Sequence, residues 1–334
     1  MVKLNTVKVS DLKKGDIVLL ECEEGDIISR AIALLTKSKV THATVSRGIM
    51  EGLDFNGVGY IAEETPKYAT YSTLLDRTER VAYVMRLNPE EKDMQPVMDI
   101  VDRYVEAKWP YASLAQPFLA MYFLVKDISD TFHLCQIGTK LMKLAMGTMI
   151  ELFNQLLHDG KNPMMCSQFA YHCYKEAGTQ YEIHMKGERN PSLLTQVVKE
   201  IHERYQEFEE DLKADSLQFS SDNMKGNVAD TEEILEELCK ELQKSEDLQT
   251  DHITQENEVY ELSHDFIVQV IHFCKLFNKV FVPKEEQIAT SKADDSWLEQ
   301  FSLMQEYFIA PEDLLHNTKN LTCLGTLDYE GYHI

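Results

Sequence analysis

Pro163-Met164-Met165-Cys166-Ser167-Gln168-Phe169-Ala170-Tyr171-His172-Cys173-Tyr174-Lys175-Glu176-Ala177-Gly178 is the stretch on which the reading of this chain turns. Pro163 and the two methionines break the helical pattern before it. Cys166, Ala170, Cys173 and Ala177 then fall on one helical stripe, and Gly178 stops the helix. The pattern puts a cysteine at the first position of a half-apolar helix. A helix start carries partial positive charge and backbone N–H groups with no intrahelical partner. A thiol there is biased toward thiolate, and an oxyanion formed beside it has donors within reach.

Upstream, the first hundred residues read as a mixed α/β unit. Lys14-Gly15-Asp16 is a turn into the short strand Ile17–Leu20. Asp26 caps a helix through Leu35, with Ile27, Ile28, Ala31, Leu34 and Leu35 at helical spacing. Val40 to Ile49 alternates as a strand, Gly57 to Ala62 begins another, and Arg80 to Leu87 forms a third with Val81, Tyr83 and Met85 on one face. Pro89-Glu90-Glu91 opens a helix toward Lys108. Between Tyr111 and Asn162 the chain is helical and rich in Met, Leu and Phe. Downstream, 215–230 reads as a loop, 231–244 as a charged helix and 266–281 as an apolar one. The tail from Phe308 to Leu327 is apolar again and returns to the core.

Composition narrows the function classes. The formal net charge of −23 argues against nucleic acid, whose phosphates need a basic face. The charge is concentrated, since Glu203 to Asp265 carries 20 acidic and 5 basic side chains. Such a stretch reads first as a solvated face and second as a surface for a basic protein partner. The seven cysteines show no CxxC or other metal-ligand spacing, so reduced thiols are expected and no metal or cofactor. Met1 to Asp16 is polar, and the longest apolar run, Leu114 to Val125, is broken by Gln116 and Pro117. A soluble, cytoplasmic protein without stable membrane insertion is the expectation.

Nucleophilic cysteine chemistry needs a thiolate, an imidazole to carry its proton and a polar group to orient the ring. Cys166 is the candidate nucleophile. His42, in Val40-Thr41-His42-Ala43-Thr44-Val45, is the candidate base, and Glu63, in Tyr60-Ile61-Ala62-Glu63-Glu64-Thr65, the candidate orienting carboxylate. If the two strands are antiparallel neighbours, a cross-strand carboxylate reaches the ring; alternation leaves only one of Glu63 and Glu64 facing it. Singly, each residue has an ordinary structural explanation, and their weight comes from combination and order.

That order resembles the circularly permuted branch of the NlpC-type papain-fold hydrolases, the YiiX-like group, to which lecithin:retinol acyltransferase-like enzymes are related. The matching pieces are Leu12-Lys13-Lys14-Gly15-Asp16-Ile17-Val18, Ile28-Ser29-Arg30-Ala31-Ile32, Ser38-Lys39-Val40-Thr41-His42-Ala43 and Ile61-Ala62-Glu63-Glu64-Thr65. Trp109-Pro110-Tyr111, Met165-Cys166-Ser167-Gln168-Phe169, Glu176-Ala177-Gly178 and the tail Ala310-Pro311-Glu312-Asp313-Leu314-Leu315 complete them. The chain departs from that group in Gln168, where an acidic residue is common, in a longer apolar insert and in the acidic segment.

The resemblance implies an α+β, permuted papain-like fold, with a small antiparallel sheet packed on the nucleophile helix and large helical inserts. The expected division is a catalytic domain over 1–200 with an insert at 112–163, an acidic helical subdomain over 201–300, and a returning segment over 301–334. It also implies a cysteine-dependent amide hydrolase, a peptidase or amidase using Cys166, His42 and Glu63. One alternative is an acyltransferase passing a fatty acyl group to an amine, with Met121, Met142, Met146 and Met149 lining an acyl pocket rather than packing the core. The other is a non-catalytic protein binding partners through the acidic segment. The substrate is then a small peptide, amide or lipid.

Overall fold

The computed structural model describes residues 5–49, 59–64, 68–89, 92–109, 115–125, 132–159, 164–187, 193–213, 228–250, 262–281 and 308–330. Its strands are β1 (Thr6–Lys8), β2 (Ile17–Glu21), β3 (Val40–Ile49), β4 (Gly59–Glu64), β5 (Ala69–Thr73), β6 (Ala82–Leu87) and β7 (Leu321–Asp328). They form one sheet in the order β1-β7-β6-β2-β3-β4-β5. Every neighbouring pair is antiparallel except β1 and β7, so the sheet is mixed and seven-stranded. This is larger than the small antiparallel sheet expected. The three-residue β1 and the glycine-interrupted β7 are too short and irregular to show an alternating pattern, and their pairing joins the two ends of the chain.

Both faces of this sheet are covered. Ile17, Leu19, Ala43, Val45 and Ala62 pack toward α2 (Gln95–Glu106) and α5 (Cys166–Glu176), meeting Val97, Val101, Tyr104, Phe169 and Cys173. Val18, Leu20, Ile61 and Val84 turn the other way, onto Val7, Val9, Leu12, Leu74 and Leu327. The expected apolar stripe of Val81, Tyr83 and Met85 is therefore only part of β6. Val81 lies outside the strand and is exposed, while Ala82 and Val84 bury the second face. The helix expected to open at Pro89 starts at Gln95. The Asp93 carboxylate accepts from the Gln95 N–H at 3.0 Å and fixes the start there.

The remaining helices make a separate apolar cluster beside the sheet. They are α1 (Ile27–Thr36), α3 (Ala115–Val125), α4 (Phe132–Asp159), α6 (Leu193–Glu203), α7 (Tyr205–Lys213), α8 (Val228–Thr250) and α9 (His264–Phe281). α1 starts where the sequence places it, with the Asp26 carboxylate accepting from Ile28 and Ser29 N–H, both at 3.1 Å. The core here is aromatic: Phe118 meets the Phe281 ring at 5.0 Å, and Phe273 and Phe277 are fully buried. Each such side chain contributes about 1.5–3 kcal/mol of burial. The acidic α8 turns Leu235, Leu238, Cys239 and Leu242 inward at helical spacing. Lys140 of α4 reaches its outer Glu237 at 2.9 Å. The helix starts at Val228, inside the loop expected over 215–230, and the rest of that loop, 215–227, lies outside the described residues. A short final helix, α10 (Pro311–His316), leads into β7.

Candidate active site

His42 is held on β3 between β2 and β4. Its backbone pairs with Leu20, next to an irregularity in the β2–β3 register. On the other side Val45 stands opposite Ala62; carried on, that register sets Glu63 opposite Thr44 and makes His42 its diagonal neighbour on the same face. The contact follows: His42 Nε2 lies 2.7 Å from Glu63 Oε2. Glu63 is fully buried, while the His42 side chain keeps 19 % of its exposure. Glu64 pairs through its backbone with Ala69, and its side chain lies outside the described residues.

Cys166 is the first residue of α5, at the seam between the helical cluster and the sheet. Met165 before it packs into the helices, Phe169 and Ala170 after it into the sheet core. The start of α5 is pinned from two sides, and its far end from a third. Gln168 Oε1 accepts from the Met165 N–H at 3.0 Å, the Ser167 hydroxyl donates to the Ile309 carbonyl at 2.6 Å, and two turns on the Tyr174 hydroxyl donates to the Gly15 carbonyl near β2. The Cys166 residue is only 2 % exposed, and its thiol lies within the electrostatic reach of the His42 ring.

Electrostatics in this small volume are strongly perturbed. Burial pushes the Cys166 thiol up. Against that, the charge and hydrogen bond of His42 and backbone hydrogen bonds from Ala43 and Ser167 hold it below its ordinary value. Burial likewise opposes a charged His42, yet Cys166 first and Glu63 second raise it to about 9. For Glu63, burial is overcome by the His42 hydrogen bond and charge, a Ser72 hydrogen bond and the Arg77 guanidinium, which together hold it at about 2. All three shifts run in the direction of thiolate, imidazolium and carboxylate. Cys135, Cys239 and Cys274, by contrast, are pushed up by burial without an imidazole to offset it.

The structure thus brings together Cys166, His42 and Glu63, three residues picked from separate parts of the chain. Two neighbours were not foreseen. Arg77, in the 3-10 turn Leu74–Arg77, places Nη2 at 2.9 Å from Glu63 Oε1, and Ser72 comes from β5. Arg77 sits in the polar run Asp76-Arg77-Thr78-Glu79-Arg80, which carries no periodic or motif signal. His172 lies apart from this group, lowered to about 4 by burial and Lys175. Met121, Met142, Met146 and Met149 are core residues of the helical cluster. No group of three or more metal-ligating side chains comes together among the described residues.

No family model matches the chain, and no curated protein matches it significantly. Among solved structures, the crystal structure of metalloprotein YiiX from Escherichia coli O157:H7, DUF1105, is similar over 58% of this chain and 82% of its own. The identity is 17% and the TM-score 0.30, so the likeness is weak. No described helix is long and apolar enough to cross a membrane.

Proposed function

We propose that this protein is a cysteine hydrolase of permuted papain-like design, cleaving an amide bond through a thioester acyl-enzyme. One observation carries the reading: a half-buried imidazole lies 2.7 Å from a buried carboxylate on one side and acts on a helix-start thiol on the other. With Nε2 given to Glu63, Nδ1 is left to meet Cys166. The Cys166 thiolate attacks the carbonyl carbon, and backbone N–H groups at the start of α5 receive the developing oxyanion. The His42 imidazolium gives its proton to the leaving amine, and the C–N bond breaks. Neutral His42 then takes a proton from water, hydroxide attacks the thioester, and thiolate and imidazolium are restored as the acid leaves. The chain order, with the His42 strand ahead of the Cys166 helix, is that of the permuted group and supports this reading.

The acyl-transfer alternative keeps the same residues but needs a cavity for a fatty chain. The methionines that suggested one belong to the apolar core of the helical cluster, and amide hydrolysis is the reading retained. Alkylation by iodoacetamide at pH 7, followed by peptide mass mapping, tests the site. Cys166 is expected to react ahead of the other cysteines, with His42→Ala slowing it at least tenfold. Uniform labelling of several cysteines, indifferent to His42→Ala, would end the catalytic reading.

A further inference from the structure

A carboxylate that only orients a ring can be satisfied by that ring alone. Glu63 is not: its two oxygens are divided, Oε2 to His42 at 2.7 Å and Oε1 to Arg77 Nη2 at 2.9 Å. Its side chain has no exposure, whereas Arg77 comes in from the rim with 27 %. The consequence appears when the proposed cycle is followed stage by stage. With a free enzyme His42 is imidazolium and neutralises Glu63. In the acyl-enzyme His42 has lost its proton and there is no thiolate, so without a further cation Glu63 would be a fully buried, uncompensated charge. Guanidinium is the one side-chain cation that cannot give up its charge in response.

We infer that Arg77 is a positioning residue of this site, a fixed counter-charge that keeps Glu63 ionised and His42 oriented while the ring is neutral. The inference rests on the hydrolase reading above and extends it to a fourth residue. The other charged groups facing the pair are the Cys166 sulfur from α5 and Arg80, whose guanidinium is already engaged by the Glu21 carbonyl. Neither can replace Arg77, since the sulfur is acylated at the stage in question and Arg80 makes no hydrogen bond to Glu63 among the described residues.

The two half-reactions then respond differently to loss of Arg77. Removing a fixed positive charge favours one additional proton on the Glu63–His42 pair, whichever of them holds it. Acylation starts from the protonated pair and is spared. Deacylation needs the pair to have shed that proton, so its acid limb moves to higher pH.

Stopped-flow hydrolysis of p-nitrophenyl acetate separates the steps. The burst of p-nitrophenolate reports attack by Cys166, and the steady state reports hydrolysis of the acetyl thioester. In Arg77→Gln the burst is expected to stay within threefold of the wild-type rate. On its acid limb the steady-state rate falls about tenfold, because that limb rises by about one unit. Arg77→Lys, which keeps the charge, holds the limb at its wild-type position. Proportional loss of both phases with unshifted limbs, or no change in either, overturns the assignment and leaves the triad standing. A shifted limb in Arg77→Lys also overturns it, and that variant carries the test if Arg77→Gln does not fold. A wild-type protein with no burst and no preferential alkylation of Cys166 defeats the triad itself, and the role of Arg77 with it.

Discussion

At the scale of single residues, the site is a row of charges in low dielectric, and Glu63 is the member with no water to share its charge. Its carboxyl is held at about 2 against an ordinary value of 4.5. A carboxyl held lower in the folded chain than in the unfolded one stabilises the fold at pH above its ordinary range. That stabilisation is lost as pH falls toward the folded value. Glu63→Gln removes the charge and leaves Arg77 and His42 facing a neutral amide, so it is expected to cost about 3 kcal/mol at pH 7. Urea unfolding of the two proteins should show that difference shrinking between about pH 4.5 and 2, while a difference constant across that range would contradict it. Alkylation of Cys166 at pH 7 should slow in the same variant, because the imidazolium that depresses the thiol loses its partner. These three residues were legible because each chemical type occurs in a distinct local pattern: a helix start, a strand and the next strand. Arg77 was not, because a guanidinium in a polar turn looks like any solvated arginine until its partner is known to be buried.

At the scale of elements, α5 decides whether the sulfur is presented correctly, and Gln168 does two jobs there. As the third residue of the helix it accepts from the Met165 N–H at 3.0 Å, closing one of the donors that a helix start leaves open. Being neutral, it does so without placing a negative charge one turn from the sulfur, as the acidic residue common in the resembling group would. Gln168→Ala is expected to lower stability by about 1–2 kcal/mol, since the Met165 N–H is buried, and to leave the acid limb of Cys166 alkylation in place. Gln168→Glu keeps the acceptor but disfavours the thiolate, so its limb moves to higher pH. Paired urea midpoints and pH–rate curves distinguish the two variants, and identical curves for both would remove Gln168 from the electrostatics of the site. Elements with a local signal, such as the Asp26 cap of α1 or the Cys166 stripe, were readable from the chain. Helix starts governed by one aspartate, as at Asp93, were displaced by several residues from where Pro89 suggested.

For the whole molecule, the decisive contact is between the two ends of the chain, which no local pattern announces. β7 inserts between β1 and β6, and β6 in turn lies against β2, the neighbour of the His42 strand. The apolar tail indicated a return to the core, but register and partner depend on sites some 320 residues apart, beyond any periodicity in the sequence. At Gly325 the two segments approach closely. Its φ of +143° is disfavoured for other residues, and a Cβ added there would stand 1.9 Å from the Asn5 carbonyl oxygen, the group that accepts from Thr326 N–H at 2.9 Å. Backbone cannot yield as a flexible side chain does, so Gly325→Ala must push β1 away from β7. The expected cost is about 2–3 kcal/mol, read as a lower urea midpoint. Because β3 and β4 lie on the far side of β2 from this contact, the folded fraction should alkylate Cys166 at the wild-type rate. A variant with an unchanged midpoint would show that β1 contributes little to closing the sheet. One with a normal midpoint but slow alkylation would show that this contact is felt at the site, through β6 and β2 or through the segment from Ile309 to β7 that holds Ser167 beside Cys166.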